Sequence, residues 1–136
     1  MILLVDACVW SLSLRRGTEV PLLPDQQRML AEFQHAVEEG RASIIGAIRQ
    51  EVLSGIRDKA KFLKVQRLLL PFSDEPVAPV DYIEAARLFN SCQDHGVQCG
   101  AVDMLIAAVA ARKKFTVLSY DKGLMRCLGV LGVPHS

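Results

Sequence analysis

Long apolar runs and an excess of charge are both missing from this chain of 136 residues. The apolar run at 104–111 is well short of the roughly 18 residues that span a bilayer. Residues 2–5 are apolar but follow no basic leader, so we expect neither a membrane span nor a secretory signal. Lysine and arginine total 16 against 15 acidic residues, so net charge alone does not indicate a nucleic-acid binder.

Several motifs of common catalytic sites are missing as well. The chain has no glycine-rich phosphate loop and no nucleophile elbow, which argues against nucleotide binding of that kind and against serine hydrolase chemistry. Its three histidines do not have metal-binding spacing, so histidine is not expected to be the main metal ligand; they are His35, His95 and His135.

Cysteine is scarce, and no C-x-x-C pair occurs. A chain with 51% apolar residues can build a core without disulfides, so the cysteines are expected to be buried thiols. Free thiols favour a reducing cytoplasm. The four are Cys8, Cys92, Cys99 and Cys127.

Short apolar segments alternate with segments of helical periodicity along the chain. This alternation predicts a single α/β domain over residues 1–136, with a mostly parallel sheet of four or five short strands flanked by helices. Strands are expected at 2–5, 42–45, 115–118 and 130–133, and helices at 25–39, 48–56, 59–70, 82–95, 102–112 and 121–127. Ligand sites in such sheets lie beyond the carboxyl ends of the strands.

Four acidic residues stand out against this background. Asp6 directly follows the first strand, and Asp121 follows the third after Ser119 and Tyr120. Asp103 and Glu51 lie in apolar helical segments, where an unpaired buried carboxylate is costly. Each also has a plain structural interpretation: a turn residue for Asp6, helix caps for Asp103 and Asp121, and a solvated helix position for Glu51.

Taken together, the four carboxylates predict one cleft that binds cations. Clustered carboxylates repel each other and therefore either take up protons or bind metal ions. Oxygen ligands of this kind suit Mg²⁺ or Mn²⁺, which can activate water and stabilise a leaving oxygen in phosphodiester hydrolysis. Metal-assisted hydrolysis is thus the favoured enzymatic interpretation.

These residues resemble the four motifs of the PIN domain, in order and over nearly the whole chain, and their spacing is similar to that of compact VapC-like toxins. The motifs are Asp6-Ala7-Cys8-Val9-Trp10, Glu51-Val52-Leu53-Ser54-Gly55, Asp103-Met104-Leu105-Ile106-Ala107-Ala108 and Ser119-Tyr120-Asp121. The resemblance implies a three-layer α/β fold and a Mg²⁺- or Mn²⁺-dependent endoribonuclease. It also implies a cognate VapB-like antitoxin and a homodimer or toxin–antitoxin hetero-oligomer.

Carried onto this chain, the resemblance makes Asp6 and Asp103 the main metal ligands. Glu51 and Asp121 would complete the catalytic quartet through water or a second ion, and Ser119 would support the site. The chain departs from the family pattern after the first and the last acid, where Ala7, Cys8, Gly123 and Leu124 replace the usual hydroxyl, acidic and aromatic residues.

Basic and aromatic residues near the first two acids are candidates for contact with RNA. Arg15, Arg16 and Arg49 lie close in sequence to the first two acids and are predicted to line the rim of an RNA cleft. Trp10 is expected in the core, with base stacking as the alternative.

A non-catalytic PIN-like module that binds RNA or protein remains an alternative. A phosphatase-like site of the haloacid-dehalogenase type on Asp6 is disfavoured, because Cys8 stands where it needs a second acid. A receiver-type phosphoacceptor is disfavoured as well, because it needs its aspartate on a strand in mid-chain and a lysine after a later strand, which Lys122 does not provide.

Overall fold

The computed structural model describes residues 1–15 and 21–136, except for the side chain of Arg15. Its strands are β1 (Leu3–Val5), β2 (Ala42–Ser43) and β3 (Thr116–Leu118). Its helices are α1 (Ala7–Arg15), α2 (Pro24–Glu38), α3 (Gly46–Leu53), α4 (Lys59–Leu69), α5 (Pro79–Asp94), α6 (Ala101–Lys113) and α7 (Lys122–Leu131).

The sheet is parallel and has the strand order β2-β1-β3. Leu3 pairs with Ala42 of β2 on one side and with Thr116 of β3 on the other. Single bridges at Asp74 and His135 flank the sheet at its two edges. The predicted parallel α/β architecture is confirmed, whereas the described residues form three strands rather than four or five.

The strand predicted at 130–133 is wrong. Val130 and Leu131 belong to α7, which ends at Leu131 and is capped by Gly132 with a positive φ of 71°. Short apolar runs fit a buried strand and the last turn of a buried helix equally well. The extended backbone comes slightly later, where the Ser136 N–H donates to the Val117 carbonyl at 2.8 Å beside β3.

Burial explains why these segments adopt their positions. All three residues of β1 are fully buried, as expected for a central strand covered on both faces. Helix α6 is buried along its whole length from Met104 to Ala110, so it has no solvent-facing stripe beyond its ends. Together these elements place the polar residues that follow β1 and β3, and the first turn of α6, at the boundary of the core.

Trp10 forms part of that core. Its side chain is fully buried and packs edge-on against Phe33 and Phe72, at ring centroid distances of 5.0 and 4.8 Å. The indole N–H donates to the Val5 carbonyl at 2.9 Å. The core interpretation of Trp10 is confirmed, and its use as a stacking platform for a base is not.

The cysteine prediction is wrong for two of the four residues. Cys99 and Cys127 form a disulfide that joins the segment before α6 to α7, while Cys8 and Cys92 are free thiols. The partners lie 28 residues apart in sequence, without a spacing motif that would reveal the pairing. Among the described residues, no helix is both long and apolar enough to cross a bilayer.

Candidate active site

Asp6 and Ser119 face each other because their strands are paired in register. Val5 and Leu118 are partners at the carboxyl ends of β1 and β3, so the next residue of each strand emerges at the same edge. The Ser119 hydroxyl donates to Asp6 Oδ2 at 2.8 Å, and the Ala7 N–H donates to Asp6 Oδ1 at 2.8 Å. Ser119 is fully buried and Asp6 nearly so, which fixes the orientation of the carboxylate.

Asp121 is joined to this pair through the same hydroxyl. Its backbone N–H donates to Ser119 Oγ at 3.0 Å. Its side chain is exposed and caps α7, with Oδ1 accepting from the N–H groups of Gly123 at 2.8 Å and Leu124 at 3.3 Å. The capping interpretation of Asp121 is therefore confirmed, and the cap also holds its carboxylate at the edge where Asp6 lies.

Asp103 lies in the first turn of α6 and is half-buried. Burial raises the pKa of its carboxyl group, and the charges of Asp6 and Asp121 raise it further, while the Gly100 backbone N–H opposes the shift. The first turn of α6 thus places this carboxylate within electrostatic reach of Asp6, which follows β1.

Glu51 lies on α3 with an exposed side chain. Partial burial raises its pKa, and so do the charges of Asp6, Asp103 and Asp121. All four predicted acids therefore lie within electrostatic reach of one another. Among the side chains that the structure describes, at 1–14 and 21–136, none of the four forms an ion pair with lysine, arginine or histidine.

This donor set fits a hard divalent cation. Within the described residues these four carboxylates have no cationic partner, so they leave concentrated negative charge, which a bound Mg²⁺ or Mn²⁺ would neutralise. In the described part of the chain no three carboxylates bring ligand oxygens within 4.8 Å of one another. Ligation of one ion by three or more of these side chains would therefore need bridging water or side-chain movement on binding.

Two further side chains border the site that sequence reasoning did not select. The Cys8 thiol lies 3.5 Å from Asp6 Oδ2 and 3.4 Å from Ser119 Oγ. Burial raises its pKa to about 11, with the nearby Asp6 charge adding to the shift, so it remains a neutral thiol. The Tyr120 hydroxyl donates to the Cys8 carbonyl at 3.3 Å. Both lie inside the motifs around Asp6 and Asp121, and that position was the available sequence signal.

The three predicted RNA-binding arginines are placed differently. Arg49 is half-buried and pairs with Asp74 at 3.0 Å, while it donates to the backbone carbonyls of Leu69 at 3.1 Å and of Phe72. These bonds connect α3 to the end of α4, so its guanidinium has a structural role. Arg16 and the side chain of Arg15 lie outside the described residues.

Comparison with known proteins agrees with this geometry. Residues 3–127 match the PIN domain family. The chain belongs to the PIN domain family. PIN domains are generally nucleases, and the carboxylates of this PIN domain occupy the four motifs that suggested the resemblance. No curated protein sequence matches the chain significantly.

Two solved structures share the PIN fold of this chain. FitAcB from Neisseria gonorrhoeae has a TM-score of 0.75 at 19% identity, covering 98% of this chain and 96% of that one. VapBC2 from Rickettsia felis, bound to a DNA fragment from their promoter, has a TM-score of 0.73 at 12% identity, covering 100% and 98%. At such low identity the similarity establishes the common fold.

Proposed function

We propose that this PIN domain is a Mg²⁺- or Mn²⁺-dependent endoribonuclease that acts as the toxin of a toxin–antitoxin pair. The observation that carries the proposal is the convergence of Asp6, Glu51, Asp103 and Asp121 without a protein cation among the described residues. Phosphodiester hydrolysis needs positive charge at a phosphate oxygen and an activated water, both of which a carboxylate-bound ion supplies.

Each residue has a distinct part in this proposal. Asp6 and Asp103 hold the ion directly, and Glu51 and Asp121 bind it through water or hold a second ion. Ser119 is a positioning residue, because its hydroxyl donates to Asp6 and accepts from the Asp121 N–H. The exposed side chains of Glu51 and Asp121 leave the outer face of the site open to a polymeric substrate.

RNA is the proposed substrate, with Arg15 and Arg16 as contacts along its path. Arg49 was predicted to join them, but its bonds to Asp74 and to two backbone carbonyls mean that a phosphate contact must compete with its structural role. Phosphate contacts by arginine make affinity fall with salt, by close to one unit of slope per contact.

A VapB-like antitoxin is the proposed protein partner. Support comes from the fold shared with FitAcB and VapBC2 and from large apolar side chains left exposed on this chain, among them Leu23 and Leu63. An arginine of the partner inserted among the acids would neutralise them and compete with the metal. We further propose one domain over residues 1–136, a cytoplasmic location, and a homodimer or toxin–antitoxin hetero-oligomer.

The deciding experiment measures RNA cleavage by the purified chain with Mn²⁺, with Mg²⁺ and with a chelator. Wild-type protein is expected to cut RNA only with metal, and Asp6→Asn to lose the activity while remaining folded. Expression with and without the adjacent reading frame, followed by mapping of new RNA 5′ ends, tests the toxin role. Undiminished cleavage by Asp6→Asn would refute the catalytic assignment. RNA binding without cleavage would favour the non-catalytic module.

A further inference from the structure

Three of the four cysteines meet in one cluster, apart from the carboxylates. Cys92 lies on α5, Cys99 in the segment before α6, and Cys127 on α7. Their sulfur atoms all lie within 4.8 Å of one another. Cys92 and Cys127 are fully buried, and Cys99 is half-buried. We call Cys92, Cys99 and Cys127 the thiol cluster.

The surroundings of the thiol cluster are soft and weakly polar. The Cys92 thiol lies 3.9 Å from Met104 Sδ, and Cys127 Sγ lies 3.6 Å from the Gln98 carbonyl oxygen. Thiolate and thioether ligands select Zn²⁺, Cd²⁺ or Cu⁺ over Mg²⁺, which prefers oxygen. The cluster therefore differs in chemistry from the acidic site.

The geometry of the cluster suits a single ion once the disulfide is opened. Zn–S bonds of about 2.3 Å in a tetrahedral site place bound sulfurs roughly 3.8 Å apart, within the span of the cluster. The Cα atoms of Cys99 and Cys127 are 6.4 Å apart. This lies near the long end of the usual disulfide range of about 4.4–6.8 Å, so side-chain rotation can separate the two thiols.

A path to the cluster exists from solvent. Cys99 borders an open cavity of about 450 Å³ that is also lined by Phe89, Gln93, Gln98 and Gly100. A water molecule from this cavity can fill a fourth coordination position, since three protein ligands leave one tetrahedral position open.

We propose that the reduced chain binds one thiophilic divalent ion of the Zn²⁺ class through Cys92, Cys99 and Cys127. Reduction takes two electrons and two protons from a dithiol, which becomes a disulfide while Cys99 and Cys127 become thiols. Metal binding then replaces the protons of the coordinating thiols. In place of the disulfide, the bound ion links three parts of the chain: α5, α7 and the segment that precedes α6.

Burial raises the pKa of Cys92, so its thiol stays protonated until a metal ion displaces the proton. Binding is therefore expected to release protons and to weaken as the pH falls. Two of the three cysteines are close in sequence to the acidic site, since Cys99 precedes α6, which carries Asp103, and Cys127 lies on α7, which Asp121 caps. The proposed metal binding nevertheless requires neither those carboxylates nor nuclease activity.

The test is a Cd²⁺ titration of the full chain, reduced with a dithiol and freed of it under anaerobic conditions. Thiolate-to-metal charge transfer in the ultraviolet is the readout. We expect saturation at one Cd²⁺ per chain, displacement by Zn²⁺, no competition by excess Mg²⁺, and no signal from the disulfide form. Cys92→Ala and Cys99→Ser should each weaken binding at least about tenfold, since even outer partners of a metal site are worth 10–100-fold.

Cys8→Ser is the matched control, because Cys8 is a free thiol that lies beside Asp6 rather than in the cluster. It should leave the titration unchanged. A signal that disappears with Cys8→Ser, or that persists in full with Cys92→Ala, would overturn the proposal. So would a fully reduced, folded chain that gives no charge-transfer signal, or a disulfide that survives the reductant in a chain that binds no Cd²⁺.

Discussion

Replacing Asp103 with asparagine removes one charge from the candidate site and nearly preserves the shape of the side chain. Carboxylates about 5–8 Å apart repel by roughly 0.5–3 kcal/mol as the effective dielectric falls from about 80 to about 20. Asp103 is only half-buried and Asp121 is exposed, so we take the relief to be about 1 kcal/mol. Without metal, Asp103→Asn should therefore be more stable than wild type by that amount at neutral pH.

The sign follows from the pKa of Asp103, which is raised in the folded protein by burial and by neighbouring charge. A folded-state pKa above the unfolded value means that stability is lost as the pH rises through it. The advantage of Asp103→Asn should thus be present above that pKa and vanish below about pH 4, where the wild-type carboxyl group is protonated in both states.

With bound Mn²⁺, wild type should instead be more stable than Asp103→Asn. At a Mn²⁺ concentration of about 100 times Kd, a site present only in the folded state gains about 2.7 kcal/mol. For a domain of this size this corresponds to a Tm rise of roughly 10 °C. Thermal unfolding with and without Mn²⁺ should show that rise in wild type and in Asp94→Asn, a control at the exposed end of α5, but not in Asp103→Asn. An equal Mn²⁺ shift in Asp103→Asn would show that Asp103 does not hold the ion, and a metal-free variant less stable than wild type would show that repulsion at Asp103 is not destabilising.

Three further predictions concern residues that support the site and the fold. Ser119→Ala should raise the Kd for Mn²⁺ about tenfold in calorimetry, because Asp6 loses the hydroxyl that orients it. Arg49→Ala should lower the unfolding free energy in urea by about 1–3 kcal/mol, because three acceptors lose a charged donor. Hydrogen bonds from Arg112 lower the pKa of the Asp81 carboxyl group. The ionised Asp81 side chain therefore stabilises the fold in full above about pH 4–5, and this contribution is lost as the pH falls through the lowered pKa. Asp81→Asn should flatten that acid limb of the stability profile.

Each of these has a result that counts against it. Unchanged Mn²⁺ affinity in Ser119→Ala would remove the positioning role of the hydroxyl. Arg49→Ala at wild-type stability, with weaker RNA binding, would return Arg49 to the RNA path. An acid limb as steep in Asp81→Asn as in wild type would show that other carboxyl groups govern acid unfolding.

The candidate site was easier to predict than the edges of the fold. Asp6 and Ser119 follow buried strands directly, and parallel pairing brings such positions together at one edge. Glu51 and Asp103 required helix packing that periodicity does not reveal, so the acids alone left their helix and cap interpretations open. The family motifs in order favour the catalytic interpretation, which stays a prediction.

Some contacts could not be predicted because they join residues far apart in the sequence. The Cys99–Cys127 disulfide and the bonds from Arg49 to the end of α4 join positions whose separation carries no pattern. The strand expected at 130–133 failed for a different reason, since its short apolar run fits the last turn of α7 as well as it fits a strand. Helix α1 was not predicted as an element either, although it directly follows Asp6.

Anomalous scattering from crystals of the chain grown or soaked with Mn²⁺ tests metal binding by the four acids directly. We expect an ion held by carboxylate oxygens of Asp6 and Asp103, with Glu51 and Asp121 reaching it through water or around a second ion. Saturating Mn²⁺ that leaves this edge of the sheet empty, or that binds only elsewhere, would show that the four carboxylates do not form a metal site.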